Sequence, residues 1–353
     1  MKPTIDGVSR RPRAGSGFTL VELLVVIAVI GILVGVLTPA LGRARETSQS
    51  MVGMSNIRQL ATAQQAYASE NQQWLAGPTT SGVAGMINNG ESYLFSTSST
   101  TPTTTHDWIS PTLGSELGFS PNRADRTWQI FGRFKCPRAN EQTTQLFGDA
   151  NDRSEFEALN SEEPAFQVSY LSPAVFFYSP EDDQGDAAWV PRQLRRANKA
   201  GIMPVSIPEP FAAPSSYRPR FDRIRAPSAK VIIADGTRFV DTAAFGGAVS
   251  LNFDMTPNPG FFGSFLSSGP IFHESTAYGR EALPERANEI NVDYSMRYFD
   301  REMHIGYFDG HAERIGSERA WADVELWYPS GSQFTGGDVT PEASGWDPNL
   351  PVP

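Results

Sequence analysis

The chain has 353 residues, 40% hydrophobic, 11% aromatic and 19% charged, enough apolar material for one large core or two modest ones, which excludes a mostly disordered chain. Its 29 basic and 39 acidic side chains leave a net charge of −10, and that disfavours a nucleic-acid binder acting through overall positive charge. One cysteine, Cys136, excludes an intrachain disulfide or a several-thiolate zinc site, while 31 glycines and 27 prolines suit a loop-rich β domain better than a helical bundle.

The first element is a basic leader followed by an apolar helix. Residues 1–17 carry Lys2, Arg10, Arg11 and Arg13 against Asp6, and residues 18–41 carry a single charge, Glu22. A helix of that length spans roughly 36 Å, enough for a bilayer core. The positive leader keeps its side of the membrane cytoplasmic and sends the rest of the chain outward. An ordinary secretory signal shares this layout, with small residues after the apolar run near Thr38-Pro39-Ala40. Here small residues also precede the run, at Ser16-Gly17, and Phe18-Thr19-Leu20-Val21-Glu22 follows.

The string SGFTLVELLVVIAVIGILVGVLTPAL closely resembles the signal of type IV prepilins and type II secretion pseudopilins. The resemblance implies cleavage between Gly17 and Phe18 by a prepilin peptidase, followed by N-methylation of Phe18. It matches Glu22 to the family's acidic fifth residue and Pro39 to its helix-kinking proline. A carboxylate in a membrane helix costs about 2.5–3.5 kcal/mol at the centre and less near the interface. The new N-terminal amine of a neighbouring subunit's Phe18 would offset that cost and set the axial register. Gly31 and Gly35 form a small-xxx-small pair that permits close helix approach, and Pro39 should bend or loosen the helix.

Beyond the membrane half, the helix is expected to continue in water over 42–77. Met54, Ile57, Leu60, Ala61, Gln64, Tyr67 and Ala68 recur at helical spacing, with Arg58, Gln59, Gln65 and Glu70 on other faces. Gly77-Pro78 should end it. Residues 78–328 read as a β-rich head with long loops, among them an exposed low-complexity loop at 96–105 and a proline-rich excursion at 181–221. Expected strands are part of 167–178, then 230–234 with 237–240, and 303–308 with 311–315. The last two pairs flank Asp235-Gly236 and Asp309-Gly310, each read as a type I′ hairpin turn. Residues 329–353 read as a flexible tail.

Phe134-Lys135-Cys136-Pro137, Ser169-Tyr170, Pro227-Ser228 with Asp235, and Phe308-Asp309-Gly310-His311 resemble landmarks of a large secreted pilin-like family. That family carries a C-terminal histidine, nine residues, then Asp-Gly; here Phe299 stands in the histidine's place. The four histidines are His106, His273, His304 and His311. His273-Glu274 lacks the second histidine of a zinc-protease helix. With a two-residue turn at Asp309-Gly310, His304 and His311 share a strand face about 13 Å apart, too far for one ion. No GxSxG, P-loop or dinucleotide fingerprint occurs. The resemblance leaves calcium open as a structural ion, with Asp149, Asp152, Asp182, Asp183 and Asp186 in loops, though none has EF-hand spacing. Arg192, Arg195, Arg196 and Lys199 form one basic face, read as solvated.

The expected fold is therefore α+β and pilin-like: a long N-terminal helix, half membrane-spanning and half amphipathic, packed on a loop-rich antiparallel sheet. The expected function is a structural filament subunit without enzymatic activity or cofactor. Its expected partners are prepilin peptidase, other pilin-like subunits, an inner-membrane assembly platform and lipid, not nucleic acid. The expected place is a bacterial inner membrane, single-pass, with the head outside the cytoplasm. The alternative is an anchored or secreted binding or enzymatic domain that uses the segment only for export.

Overall fold

The computed structural model describes residues 19–77, 96–104, 106–139, 142–148, 153–180, 188–190, 205–206, 209–238, 240–241, 248–253, 264–272, 275, 277–278, 295–298, 300–336, 339–340 and 342–353. The chain divides into two units, Met1–Ser48 and Gln49–Pro353.

In the first unit, helix α1 (Leu20–Glu70) starts on a reciprocal cap. The Thr19 hydroxyl accepts from the Glu22 N–H at 3.2 Å, and Glu22 Oε2 accepts from the Thr19 N–H at 2.8 Å, so two orphan donors of the first turn are satisfied. α1 runs unbroken through Pro39, whose missing N–H removes one bond of the ladder. Just before it, the Thr38 hydroxyl donates to the Val34 carbonyl at 2.7 Å. Residues 20–41 are exposed without exception. An 18-residue window of the helix has a mean hydropathy of 3.1, and the helix is long and apolar enough to cross a membrane.

In the second unit the same helix is amphipathic. Ile57, Leu60, Ala61, Gln64 and Ala68 are buried, Met54 and Tyr67 half-buried, and Arg58 and Glu70 exposed, which is the predicted stripe. The helix stops at Glu70, short of Gly77-Pro78. Gln72 takes a left-handed φ of 55° and the Gln73 N–H returns to the Ala68 carbonyl at 2.7 Å. This is a Schellman-like close with glutamine where glycine is usual, so no glycine marked it.

Among the described residues, five helices lie in the stretch read as strands and loops: α2 (Ile109–Leu113), α3 (Arg123–Arg133), α4 (Arg153–Glu162), α5 (Ser317–Ala322) and α6 (Val324–Trp327). Asn122 caps α3 by accepting from the Asp125 N–H at 3.0 Å. The low-complexity segment is only partly the exposed loop expected. Thr103 and Thr104 are buried, because the Asp107 carboxylate collects the N–H and hydroxyl of Thr103 and the N–H groups of Ile109 and Ser110.

In chain order the strands are β1 (Gln145–Phe147), β2 (Tyr170–Pro173), β3 (Ser179–Pro180), β4 (Ala188–Val190), β5 (Val205–Ser206), β6 (Phe211–Ala212) and β7 (Val231–Asp235). There follow β8 (Val240–Asp241), β9 (Ala248–Asn252), β10 (Leu266–Ser267), β11 (Glu302–Tyr307), β12 (Ala312–Gly316) and β13 (Gln333–Phe334). Among the described residues the central sheet runs β10-β2-β7-β11-β12. Its pairs are antiparallel except β10 with β2, and β1 with β9 in a smaller sheet is also parallel. The α+β fold holds, with a mixed sheet in place of a purely antiparallel one. β3, β4 and β5 form a separate sheet, so the proline-rich excursion does leave the central one.

The β11–β12 hairpin forms, one residue out of the predicted register. His304 pairs with Arg314 and Met303 with Ile315. The Gly310 N–H bonds the Tyr307 carbonyl at 3.0 Å and Tyr307 N–H bonds the His311 carbonyl at 2.9 Å, with Gly310 at φ +89°. This is a three-residue loop closed by a left-handed glycine, not a type I′ turn. The slip puts His304 and His311 on opposite faces: His304 is buried, and His311 is exposed against Asp309. The second expected hairpin does not form. β7 pairs with β2 and β11, whereas β8 pairs with β9. Asp235 ends a buried strand, and Gly236 is required by close approach: a Cβ there would stand 2.8 Å from Leu171 Cδ1.

The expected flexible tail is also corrected. β13 pairs with β6, Val352 is buried, and Val352 exchanges backbone bonds with Gly331 and Ser332. Lys230 Nζ donates to the carbonyls of Glu325 and Pro353 at 2.9 and 2.8 Å. Aromatic burial overrides the polar, glycine-rich composition: Phe211 packs on Tyr328, Phe334 and Trp346.

Candidate functional site: the amino-terminal segment and the helix seat

Gly17 and Phe18, the predicted cleavage pair, lie outside the described residues, as do Phe299, His273-Glu274, the aspartates weighed for calcium and the basic run at 192–199. Glu22, Gly31, Gly35 and Pro39 are placed together on the exposed half of α1. A Cβ on Gly31 or Gly35 would meet nothing within 4 Å, so that face is open in the single chain. The Thr19–Glu22 cap was legible as T-x-x-E, a spacing read only as part of the cleavage signal. It shows that Glu22 folds back onto Thr19 at the helix start, where the macrodipole favours negative charge.

Three of the landmarks along the head, Cys136, Ser169-Tyr170 and Asp235, meet in one buried polar cluster. Asp235 at the end of β7 accepts the His304 backbone N–H on Oδ2 at 2.7 Å and faces Arg297 Nη1 with Oδ1 at 3.4 Å. Arg297 also donates to the carbonyls of Ser169 and Gly236. Tyr298 lies against the His304 ring, centroids 4.1 Å apart, and its hydroxyl meets Cys136 Sγ at 3.5 Å. Asn56 of α1 donates to Tyr170. Burial pushes the Cys136 thiol and the Tyr170 phenol upward, so both stay neutral.

Ser50 of α1 completes the cluster, its hydroxyl 2.7 Å from His304 Nε2. Serine, histidine and aspartate in this order are the groups of acyl transfer, and sequence reasoning missed them because 254 residues separate Ser50 from His304. The geometry argues for packing instead. Ser50 lies inside a helix, so its N–H is committed to the ladder and cannot serve as an oxyanion donor. The hydroxyl is buried, and Asp235 Oδ2, though 3.2 Å from His304 Nδ1, takes its hydrogen bond from the His304 main-chain N–H, so Nδ1 makes no hydrogen bond among the described residues. Gly53, one turn on, leaves room for the pair: a Cβ there would stand 2.7 Å from Tyr298 Oη and 3.0 Å from His304 Nδ1. Gly306 does the same from the sheet side, where a Cβ would lie 2.4 Å from Ile57 Cγ2. Further along, Gln65 Nε2 donates to the Phe308 carbonyl at 2.5 Å. The cluster is the seat in which the second half of α1 lies on β11.

An exposed apolar helix with a capped acidic start, continued into an amphipathic half seated on a mixed sheet, is consistent with an α+β pilin-like fold. Residues 13–38 match the prokaryotic N-terminal methylation motif, so the amino-terminal segment is similar to that of type IV prepilins. The chain is 36% identical over 67 residues to the type IV major pilin protein PilA of Myxococcus xanthus, covering 19% of this chain and 30% of that one. It is 37% identical over 78 residues to the type IV wide pilus major component PilA4 of Thermus thermophilus, covering 22% of this chain and 56% of that one. The matches thus span less than two thirds of either relative. No solved structure matches the chain.

Proposed function

We propose that the chain is a structural subunit of a type IV pilus- or type II secretion-like filament, cut after Gly17 by a prepilin peptidase and N-methylated on Phe18. The observation that carries this reading is the motif at residues 13–38 leading into an apolar run, 20–41, whose side chains have no cover within the first unit. Such a surface needs lipid before assembly and neighbouring helices after it. The open faces of Gly31 and Gly35 allow the neighbours close approach, and Glu22 neutralises the N-terminal amine of the adjacent Phe18. The head is exported and carried outside the cytoplasm on a single-pass anchor. The structural nature of the two pilin relatives and the closed packing around Ser50 support a non-enzymatic role.

Mass spectrometry of the mature N-terminus tests the processing step, with methylated Phe18 expected; a terminus near Leu41 would show ordinary signal-peptidase cleavage and sink the reading. Gly17→Arg should block processing by placing a bulky charge at the cut. Glu22→Ala should leave insertion and processing intact and impair crosslinking between subunits. Crosslinking equal to wild type would leave Glu22 only its capping role.

A further inference from the structure

Glu209 is a buried carboxyl with no cation beside it among the described residues. Tyr328 Oη donates to its Oε2 at 2.6 Å and the Gly269 N–H to its Oε1 at 3.0 Å, and the Ser268 hydroxyl adds a third bond. One side chain therefore joins three stretches of chain: 209–213 with β6, 264–272 with β10, and 328–335 with β13. Its surroundings are aromatic. Phe211, next but one to it, packs on Tyr328 and Phe334 with centroids 4.8 and 5.5 Å away. The remaining titratable groups facing it are phenols. Tyr278 and Tyr328 are both held well above the usual range by burial, hence neutral. The Arg238 charge acts on Tyr278 and Tyr178, not on Glu209. A negative charge in this place has hydroxyls and one amide to solvate it, which is less than water offers.

We propose that Glu209 is a proton-operated clamp: protonated, it holds the β6–β13 pair and Tyr328 against the 264–272 stretch, and ionised, it loosens the C-terminal segment from β6. Burial raises its pKa from 4.5 to about 7. The closed form therefore keeps a proton that the opened form has already lost. Between about pH 4.5 and 7 the opening equilibrium rises roughly tenfold per pH unit, then levels off.

Hydrogen exchange of the full-length protein in detergent, corrected for intrinsic rates, tests this at pH 5 and 7.5. Segments 209–213 and 328–336 should lose roughly a hundredfold in protection at the higher pH, while β11 changes little. Glu209→Gln keeps a neutral group with the same reach and should make those segments insensitive to pH. Tyr328→Phe removes a donor that favours the carboxylate and should move the midpoint upward. A wild type with no pH dependence in these segments, or a Glu209→Gln or Tyr328→Phe protein with the wild-type profile, overturns the clamp.

Discussion

The two halves of α1 obey different solvents. From residue 20 to 41 the side chains are apolar on every face and exposed. From Gln49 to Glu70 Met51 and Val52 are exposed, but the main apolar stripe lies buried, with Ile57 against Gly306 of β11 and Gln64 bonded to both backbone groups of Ala76. A helix hydrophobic all round depends on a membrane or on other helices, whereas an amphipathic one takes its stability from its own domain. One continuous helix thus carries a half whose apolar surface is uncovered within its unit, the assembly half of the proposed function, and a folding half whose energy is internal.

The comparison breaks most sharply in acid. His106 in the head is buried with Nε2 at 2.6 Å from Tyr178 Oη, and burial first, then the Arg238 charge, lowers its pKa from 6.5 to about 3. Its folded value is depressed and the neutral form is the folded one. The stability it contributes is present above pH 6.5 and is lost as pH falls toward 3, about 5 kcal/mol in all. Chemical denaturation of the Glu209→Gln head, which lacks the opposing titration of Glu209, should show the loss between pH 7 and pH 4, while membrane retention of the apolar half stays unchanged.

Asp235→Ala should cost the head about 3–5 kcal/mol, because Arg297 is left buried without its carboxylate; a thermal melt in detergent measures it. Leu60→Ala should cost about 3 kcal/mol through the cavity it leaves in the core. Leu33→Ala, the same change on the exposed half, should not move the head's melting point, and equal shifts for both would erase the distinction between the halves. Gly306→Val should cost about 1–3 kcal/mol, since the new methyls meet Ile57 and Ile233, and Ile57→Ala in the same chain should recover part of that loss. The smallest effect is Arg153→Ala, which removes an exposed i,i+4 pair with Glu157 and should change stability by less than about 0.5 kcal/mol.

Local patterns were legible in the sequence and long-range ones were not. The apolar run, its lone Glu22, the stripe from Ile57 to Ala68 and the hairpin around Asp309-Gly310 depend on neighbours a few residues apart. Their periodicity and turn chemistry are written in order along the chain. The sequence alone thus determined that a long apolar helix leads into an α+β head, and the signal read from Ser16 onward falls where the methylation motif matches, at residues 13–38.

Tertiary structure decided the rest. Asp-Gly at 235–236 has the composition of a hairpin turn, yet β11 of distant sequence takes the place beside β7, and Asp235 is buried under Arg297 and His304 instead. The C-terminal segment has the composition of a loose tail, yet Phe211 and Lys230 give it an aromatic partner and a hydrogen-bond donor. One residue of register, set by the left-handed Gly310, sends His304 inward to Ser50 and His311 outward to solvent. Each of these outcomes rests on contacts between residues far apart in sequence. Burial and pairing at such distances outweigh local preferences worth only about 1 kcal/mol each.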